Sequence, residues 1–318
     1  MEPLRRADWT GVMPAITTPF RDAPGEQADA IDHRALSHLV GRMIDAGSTG
    51  IVTPGSLGEG SSLTFEEKRE LWKTCAMAAR GRVPVVAAIA SASTAEAVAL
   101  ARAAEAAGCR GLMVLPPYVY RGDWIETREH VSAIMSATAL SCMLYNNPPA
   151  YGVDFTPAHI AELASRHPNL HAVKDSSGDA RRFIAMRAAC GDRLALFVGL
   201  DDCIVEGVRM GASGWIAGLV NALPEESVEL FRRAIAERSA SDQAATRART
   251  DELYRWFLPL LRLDTGPKFV QLIKLVQAET GTGTERVRSP RRELRCEERA
   301  DAISLIRERL ASRPAMGG

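Results

Sequence analysis

The 318-residue chain predicts an α/β protein, a (β/α)8 TIM barrel with a C-terminal helical extension, on three observations. Eight short β-branched runs recur about every 20 to 35 residues. Helix-period segments separate them, so strand and helix alternate throughout. The runs are near-continuously apolar instead of alternating, the pattern of a parallel sheet covered on both faces.

In chain order, VMPAITTPF (12–20) is the first strand. The turn after it, TTPFRDAPG, lacks the GxGxxG pattern that an open doubly wound sheet often carries there. The amphipathic segment DHRALSHLVGRMIDAG leads to the second strand, TGIVTPG (49–55). Thr64, with Glu67 three residues on, forms a capping-box signature that opens TFEEKRELWKTCAMAA. Then come VPVVAAIA (83–90), the Ala-rich helix TAEAVALARAAEAAG, GLMVLPP (111–117) and SCMLYNNP (141–148). Thr156-Pro157 starts a further helix, with proline in its first turn. LHAVKDSS (170–177), LALFVGLDD (194–202) and SGWIAGLV (213–220) complete the series. The barrel is expected over residues 9–222, and a packed helical extension over 223–313, with helical period in 224–237, 251–262 and 297–311. Its stretch 285–313 holds nine arginines against six acids, mixed in sign, and reads as a solvated helix face.

Composition narrows the function. Lys+Arg and Asp+Glu balance at 39 each, so no global field recruits nucleic acid or an anionic membrane. The N-terminal MEPLRRADWTGVMPAI has no continuous apolar core of a signal peptide, which places the protein in the cytoplasm. Cys75, Cys109, Cys142, Cys190, Cys203 and Cys296 are scattered without a CxxC pair and read as reduced thiols. The six histidines fall mostly on or beside predicted helices, so no metal site is expected.

In such a barrel the chemistry lies where strands end and βα loops begin. The unusual residues cluster there: TPGSLGEGS after strand two, PPYVYRGDW after strand four, YNNPP at strand five and Lys174 closing strand six. A lysine at the end of an apolar strand loses solvation, which favours the neutral, nucleophilic amine and suits imine formation with a carbonyl. Tyr145, on the neighbouring strand, is placed to carry the proton that imine chemistry needs. The glycine-rich loop around Ser56 supplies backbone N–H groups for a small carboxylate.

GSLGE (55–59), YNNP (145–148), KDSSGD (174–179) and FVGLDD (197–202), in that order and spacing, resemble the dihydrodipicolinate synthase and N-acetylneuraminate lyase family over roughly residues 9–310. The resemblance implies a class I lyase that forms an imine between Lys174 and a small 2-oxo or imino acid, without metal or other cofactor. It implies Tyr145 as proton relay, Ser56 as a catalytic group, and Leu57, Gly58, Ile216, Tyr118 and Asn147 as substrate-binding residues. It also implies a homotetramer or homodimer.

Three departures bear on substrate. The lysine-pathway synthase usually has two threonines where this chain has Ser56 and Leu57. Its second relay tyrosine aligns with Val119. Its carboxylate-binding arginine aligns with Ala150. YNNPPAY, KDSSGDARRFI and GLDDCIVEGVRMGASGWIAGLVNALP more closely resemble the deaminases of 1-pyrroline-4-hydroxy-2-carboxylate in hydroxyproline catabolism. The alternatives are an aldolase for 2-keto-3-deoxy or 4-hydroxy-2-oxo acids, 4-hydroxy-tetrahydrodipicolinate synthase, and, from another class, a non-catalytic barrel that binds an oxo acid.

Overall fold

A computed structural model describes residues 4–22, 29–117 and 120–315. All eight expected runs contain a strand: β1 Gly11–Pro14, β2 Ile51–Thr53, β3 Val85–Ile89, β4 Gly111–Val114, β5 Ser141–Asn146, β6 Leu170–Asp175, β7 Ala195–Val198 and β8 Gly214–Ala217. They form one parallel sheet in the order β1-β8-β7-β6-β5-β4-β3-β2. A parallel bridge between Ala15 and Val52 closes the ring, with the Ile16 amide donating to the Val52 carbonyl at 3.0 Å. The first run is shorter as a strand than its apolar stretch suggests: Phe20–Arg21 turn away to pair antiparallel with Ala30–Ile31.

Helices α1 His33–Asp45, α2 Phe65–Ala79, α3 Thr94–Ala106, α4 Trp124–Met135, α5 Pro157–Arg166, α6 Arg181–Cys190, α7 Ile204–Arg209 and α8 Pro224–Ala236 follow the strands in turn. The capping box at Thr64 forms, its hydroxyl accepting from the Glu67 amide while Glu67 accepts from the Thr64 amide. Alternate strand residues face opposite sides, so the strands feed two separate cores. The larger one, with Ile51, Leu112, Leu144 and Val173, lies between sheet and helices. The smaller one fills the barrel with Met13, Val86, Met113, Met143 and Phe197. Trp9 plugs its N-terminal end, donating its indole N–H to Ser141 and meeting Phe197 edge-on. Burying each such large side chain contributes about 1.5–3 kcal/mol. With that end filled, the open space lies at the C-terminal ends of the strands.

Of the stretch expected as the extension, 223–313, the first helix, α8, follows β8 as the eighth of the series, and beyond it lie α9 Gln243–Leu261, α10 Phe269–Glu279 and α11 Cys296–Ala311. Two of its features differ from expectation. Helix α10 is buried nearly all round, Lys274 and Gln277 included, and so lacks the polar stripe from which a helix period is read. The arginines of 285–313 are not all a solvated face. Arg288 is buried and binds Glu67 and the carbonyls of Ser62 and Asp29, while Arg286 pairs with Asp22. Among the described residues no helix is long and apolar enough to cross a membrane.

Candidate active site

Lys174 sits on β6 beside Tyr145 of β5, its direct register partner. Its stem lies across Gly199, where an added Cβ would come within 2.6 Å of the lysine Cε, so the absence of a side chain there makes room for it. The Nζ stands 4.0 Å above the centre of the Tyr145 ring. Lys174 is buried, and among the described residues its Nζ makes no hydrogen bond. Burial pushes its pKa below the ordinary lysine value, opposed by Tyr151, Asp264 and Asp201. The lowered pKa increases the fraction of nucleophilic free amine at any given pH below the usual lysine range.

The Tyr145 hydroxyl accepts from Asn147 Nδ2 at 2.9 Å and from the Ser176 hydroxyl at 3.4 Å. Burial raises its pKa, so it holds a proton ready to give. Asn147 also caps the one-turn helix Pro148–Tyr151 by accepting from the Ala150 amide. That helix turns Tyr151 back over the barrel mouth, edge-on to Tyr145 with ring centres 5.7 Å apart. The Tyr151 hydroxyl then meets Ser56 Oγ at 2.6 Å. Tyr145, Tyr151 and Ser56 thus line one side of the space above Lys174, with their hydroxyls on a common path.

The glycine loop is rigidly braced. Its Glu59 and Gly60 amides bond back to Ser56 and Gly55, while those of Ser56 and Leu57 have no acceptor among the described residues. Two adjacent unspent N–H groups fit a carboxylate. Glu59, in the left-handed region at φ 55°, is fully buried and accepts from Lys274 Nζ and the Arg288 amide. The extension therefore holds the loop from behind.

Lys174, Tyr145, Ser56, Leu57, Ile216 and Asn147 all line a single cavity of about 720 Å³. Gly58 does not: its carbonyl takes the Thr18 hydroxyl, and a side chain there would strike the Ile16 carbonyl at 2.7 Å. Leu57 contributes to the wall while its side chain belongs to the outer core. Tyr118 and the Val119 position lie outside the described residues. The sequence reading missed Tyr151 and Asp264, which also line the cavity. Tyr151 lies in the quoted YNNPPAY motif; Asp264, in the extension, carried no local signal.

A buried lysine at a strand end without a hydrogen-bond partner among the described residues, beside a tyrosine and below a loop with free amides, suits a barrel lyase that works through a lysine imine. Residues 8–309 match the Dihydrodipicolinate synthetase family, and the chain belongs to it. It is 34% identical to the 4-hydroxy-tetrahydrodipicolinate synthase of Halorhodospira halophila over 71% of this chain and 75% of that one. To the enzyme of the same name from Hyphomonas neptunium it is 38% identical, over 68% and 72%. Among solved structures, the 4-hydroxy-tetrahydrodipicolinate synthase of Methylacidiphilum fumariolicum is similar at TM-score 0.85 and 27% identity, over 95% of this chain and 97% of that one. The chloride-inhibited dihydrodipicolinate synthase of Acinetobacter baumannii, complexed with pyruvate, is similar at TM-score 0.83 and 28% identity, over 94% and 98%. The chain is accordingly an enzyme, a class I Schiff-base lyase.

Proposed function

We propose that Lys174 forms the Schiff base and that the reaction is deamination of 1-pyrroline-4-hydroxy-2-carboxylate to 2-oxoglutarate semialdehyde. The Lys174 amine attacks C2 of the cyclic imine, and Tyr145 relays the proton that lets the ring nitrogen leave C2 as a pendant amine. Loss of a C3 proton gives an enamine, which expels the 4-hydroxyl as water. Proton shifts from C5 to C3 and from the amine to C4 then set a C5 imine. Its hydrolysis releases ammonia, and hydrolysis of the lysine imine releases the product. One water leaves and two enter, so the net reaction consumes one water and yields one ammonia. The Ser56 and Leu57 amides hold the single carboxylate, and the Tyr151–Ser56 pair extends the proton path from Tyr145.

The observation that carries the substrate reading is the cavity wall at Pro149, Ala150 and Tyr151, three uncharged residues with no arginine at position 150, while the Arg121 guanidinium packs next to them on Gly152. A synthase joining pyruvate to a second carboxylate-bearing substrate needs a partner for that carboxylate. A charge-assisted hydrogen bond contributes about 1.5–3 kcal/mol, so its loss lowers efficiency by roughly 10- to 100-fold. The relatives' names favour a second reading, condensation of pyruvate with aspartate semialdehyde. So do Lys68 and Arg291, which line the same cavity. Assaying ammonia release and pyruvate-dependent condensation on one preparation separates the two. Ammonia release is expected to be the faster; faster condensation would overturn the Ala150 argument. Borohydride with pyruvate should label the peptide containing Lys174, and label on Lys268 instead would remove Lys174 from the mechanism.

A further inference from the structure

We propose that Asp264 is the acid–base residue at C4 of the imine-bound substrate, handing a proton to the departing 4-hydroxyl and then taking one from C5. This deepens the deaminase reading and rests on it. Asp264 belongs to neither the barrel strands nor their loops. It ends the 3-10 turn Arg262–Asp264, which connects α9 to α10, and its carboxyl group reaches over the end of β8. It lies so close to Gly218 that a side chain at that position would overlap its carboxyl oxygens. Gly218 therefore creates the space in which Asp264 enters the cavity shared with Lys174 and Tyr145.

Two properties distinguish this carboxyl group from a structural one. Its Oδ1 is enclosed yet has no hydrogen-bond partner among the described residues. Buried polar atoms are rarely left so, and the residue that carries this one lines the cavity a substrate would fill. The charged groups around it are Lys174 from β6 and Asp201 and Asp202 following β7. Asp201 is fully provided for: the Trp215 indole and the Gly218 and Leu219 amides all donate to it. Burial raises Asp201 to about 6, against the lowering effect of these donors and of Lys174. Burial and the neighbouring Asp201 charge push Asp264 well above the ordinary carboxyl range. A neutral carboxylic acid beside the reacting chain is able to donate a proton.

The step balances. As the enamine electrons move from C3 toward C4 and the C4–O bond breaks, the Asp264 proton goes to the leaving hydroxyl, which departs as water. The resulting carboxylate removes a proton from C5, whose electron pair enters C4–C5 and neutralises the lysine iminium as a dienamine, so Asp264 returns to its starting state; the proton lost earlier from C3 returns there, and an amine proton moves to C4, leaving the C5 imine. A carboxylate at this position would instead suit deprotonation of the 4-hydroxyl and cleavage of the C3–C4 bond, the aldolase chemistry. The protonation state of one side chain thus separates two reaction classes available to the same lysine imine.

Asp264→Asn keeps shape and neutrality but removes the transferable proton. Borohydride trapping of pyruvate and deuterium exchange into its methyl group, followed by NMR, report imine and enamine formation in an intact site. Both are expected to stay within about threefold of wild type, while ammonia release falls by about 10²–10⁴-fold, the usual contribution of a positioned acid–base group. The alkaline limb of the ammonia-release profile should also disappear. Ammonia release within about threefold of wild type would overturn the proposal. So would trapping and exchange that fall by the same factor as turnover, since Asp264 would then be structural. If wild type traps pyruvate but releases no ammonia, the deaminase reading fails, and Asp264 is judged on 2-keto-3-deoxy acids, which carry the same 4-hydroxyl. Their dehydration must then fall in Asp264→Asn while exchange persists; retro-aldol cleavage in place of dehydration, or no such fall, means the proposal fails as well.

Discussion

Two lysines in this protein are almost equally buried, with 6% exposure at Lys174 and 2% at Lys274, and they serve opposite ends. Each stands over an aromatic ring, Lys174 over Tyr145 at 4.0 Å and Lys274 over Phe20 at 4.5 Å. Burial lowers the pKa of both. The difference lies in their partners. Lys274 spends its three N–H donors on the Glu59 carboxylate and the carbonyls of Thr18 and Arg286. Lys174 has no hydrogen-bond acceptor among the described residues and opens onto a cavity. A saturated ammonium is a rivet, joining α10 to the glycine loop. An amine without such partners is free to lose its proton and act as a nucleophile, the role proposed for Lys174. Desolvation alone does not make a lysine reactive; desolvation without partners does.

Removing each amine breaks this comparison most directly. Lys174→Met is expected to lower turnover on the order of 10⁴-fold or more, because no imine forms, yet it should leave the Tm no lower, since the amine it removes makes no hydrogen bond among the described residues and losing it relieves a desolvated charge. A clear drop in Tm would mean that Lys174 is structural too. Lys274→Met removes the hydrogen-bonded cation from the fully buried Glu59 carboxylate, leaving it the Arg288 amide and Arg291 at 3.8 Å, and should cost about 3–5 kcal/mol in denaturant unfolding. The double variant with Glu59→Gln should recover part of that loss. If Lys274→Met unfolds like wild type, the rivet reading is wrong. The smallest effect sharpens the contrast in pH. Imine trapping needs the free amine, so its rate should rise with pH through a midpoint below 10.5 and then level off. A midpoint at or above 10.5 would make Lys174 equivalent to a surface lysine.

Much of the barrel was legible because its signals are local. Each strand is a short apolar run, and helix starts such as Thr64 and Thr156 are written in two to four neighbouring residues. Lys174 and Tyr145 were legible for the same reason: the end of a strand is a local address, and in a barrel that address faces the mouth. The N-terminal end of α9 was less so. Gln243 to Thr250 is largely polar and has no apolar period, and only the Asp242 cap marks where the helix begins. The buried arginine Arg288 was read as solvated because its partners, Glu67, Ser62 and Asp29, lie more than 200 residues away in the chain.

By itself, then, the sequence determined the alternation of strand and helix, the end of the barrel at which reactive groups gather, and the lysine and tyrosine that face one another there. Only the tertiary structure decided which hydroxyl meets Ser56, which carboxyl group hangs over Gly218, and which of two buried lysines is left without partners. The reason is physical. Strand direction and helix period are set by backbone geometry over a few residues. Hydrogen-bond saturation and the local field at an amine depend instead on groups that chain closure brings together from α10, the β8 end and the Pro148–Tyr151 turn.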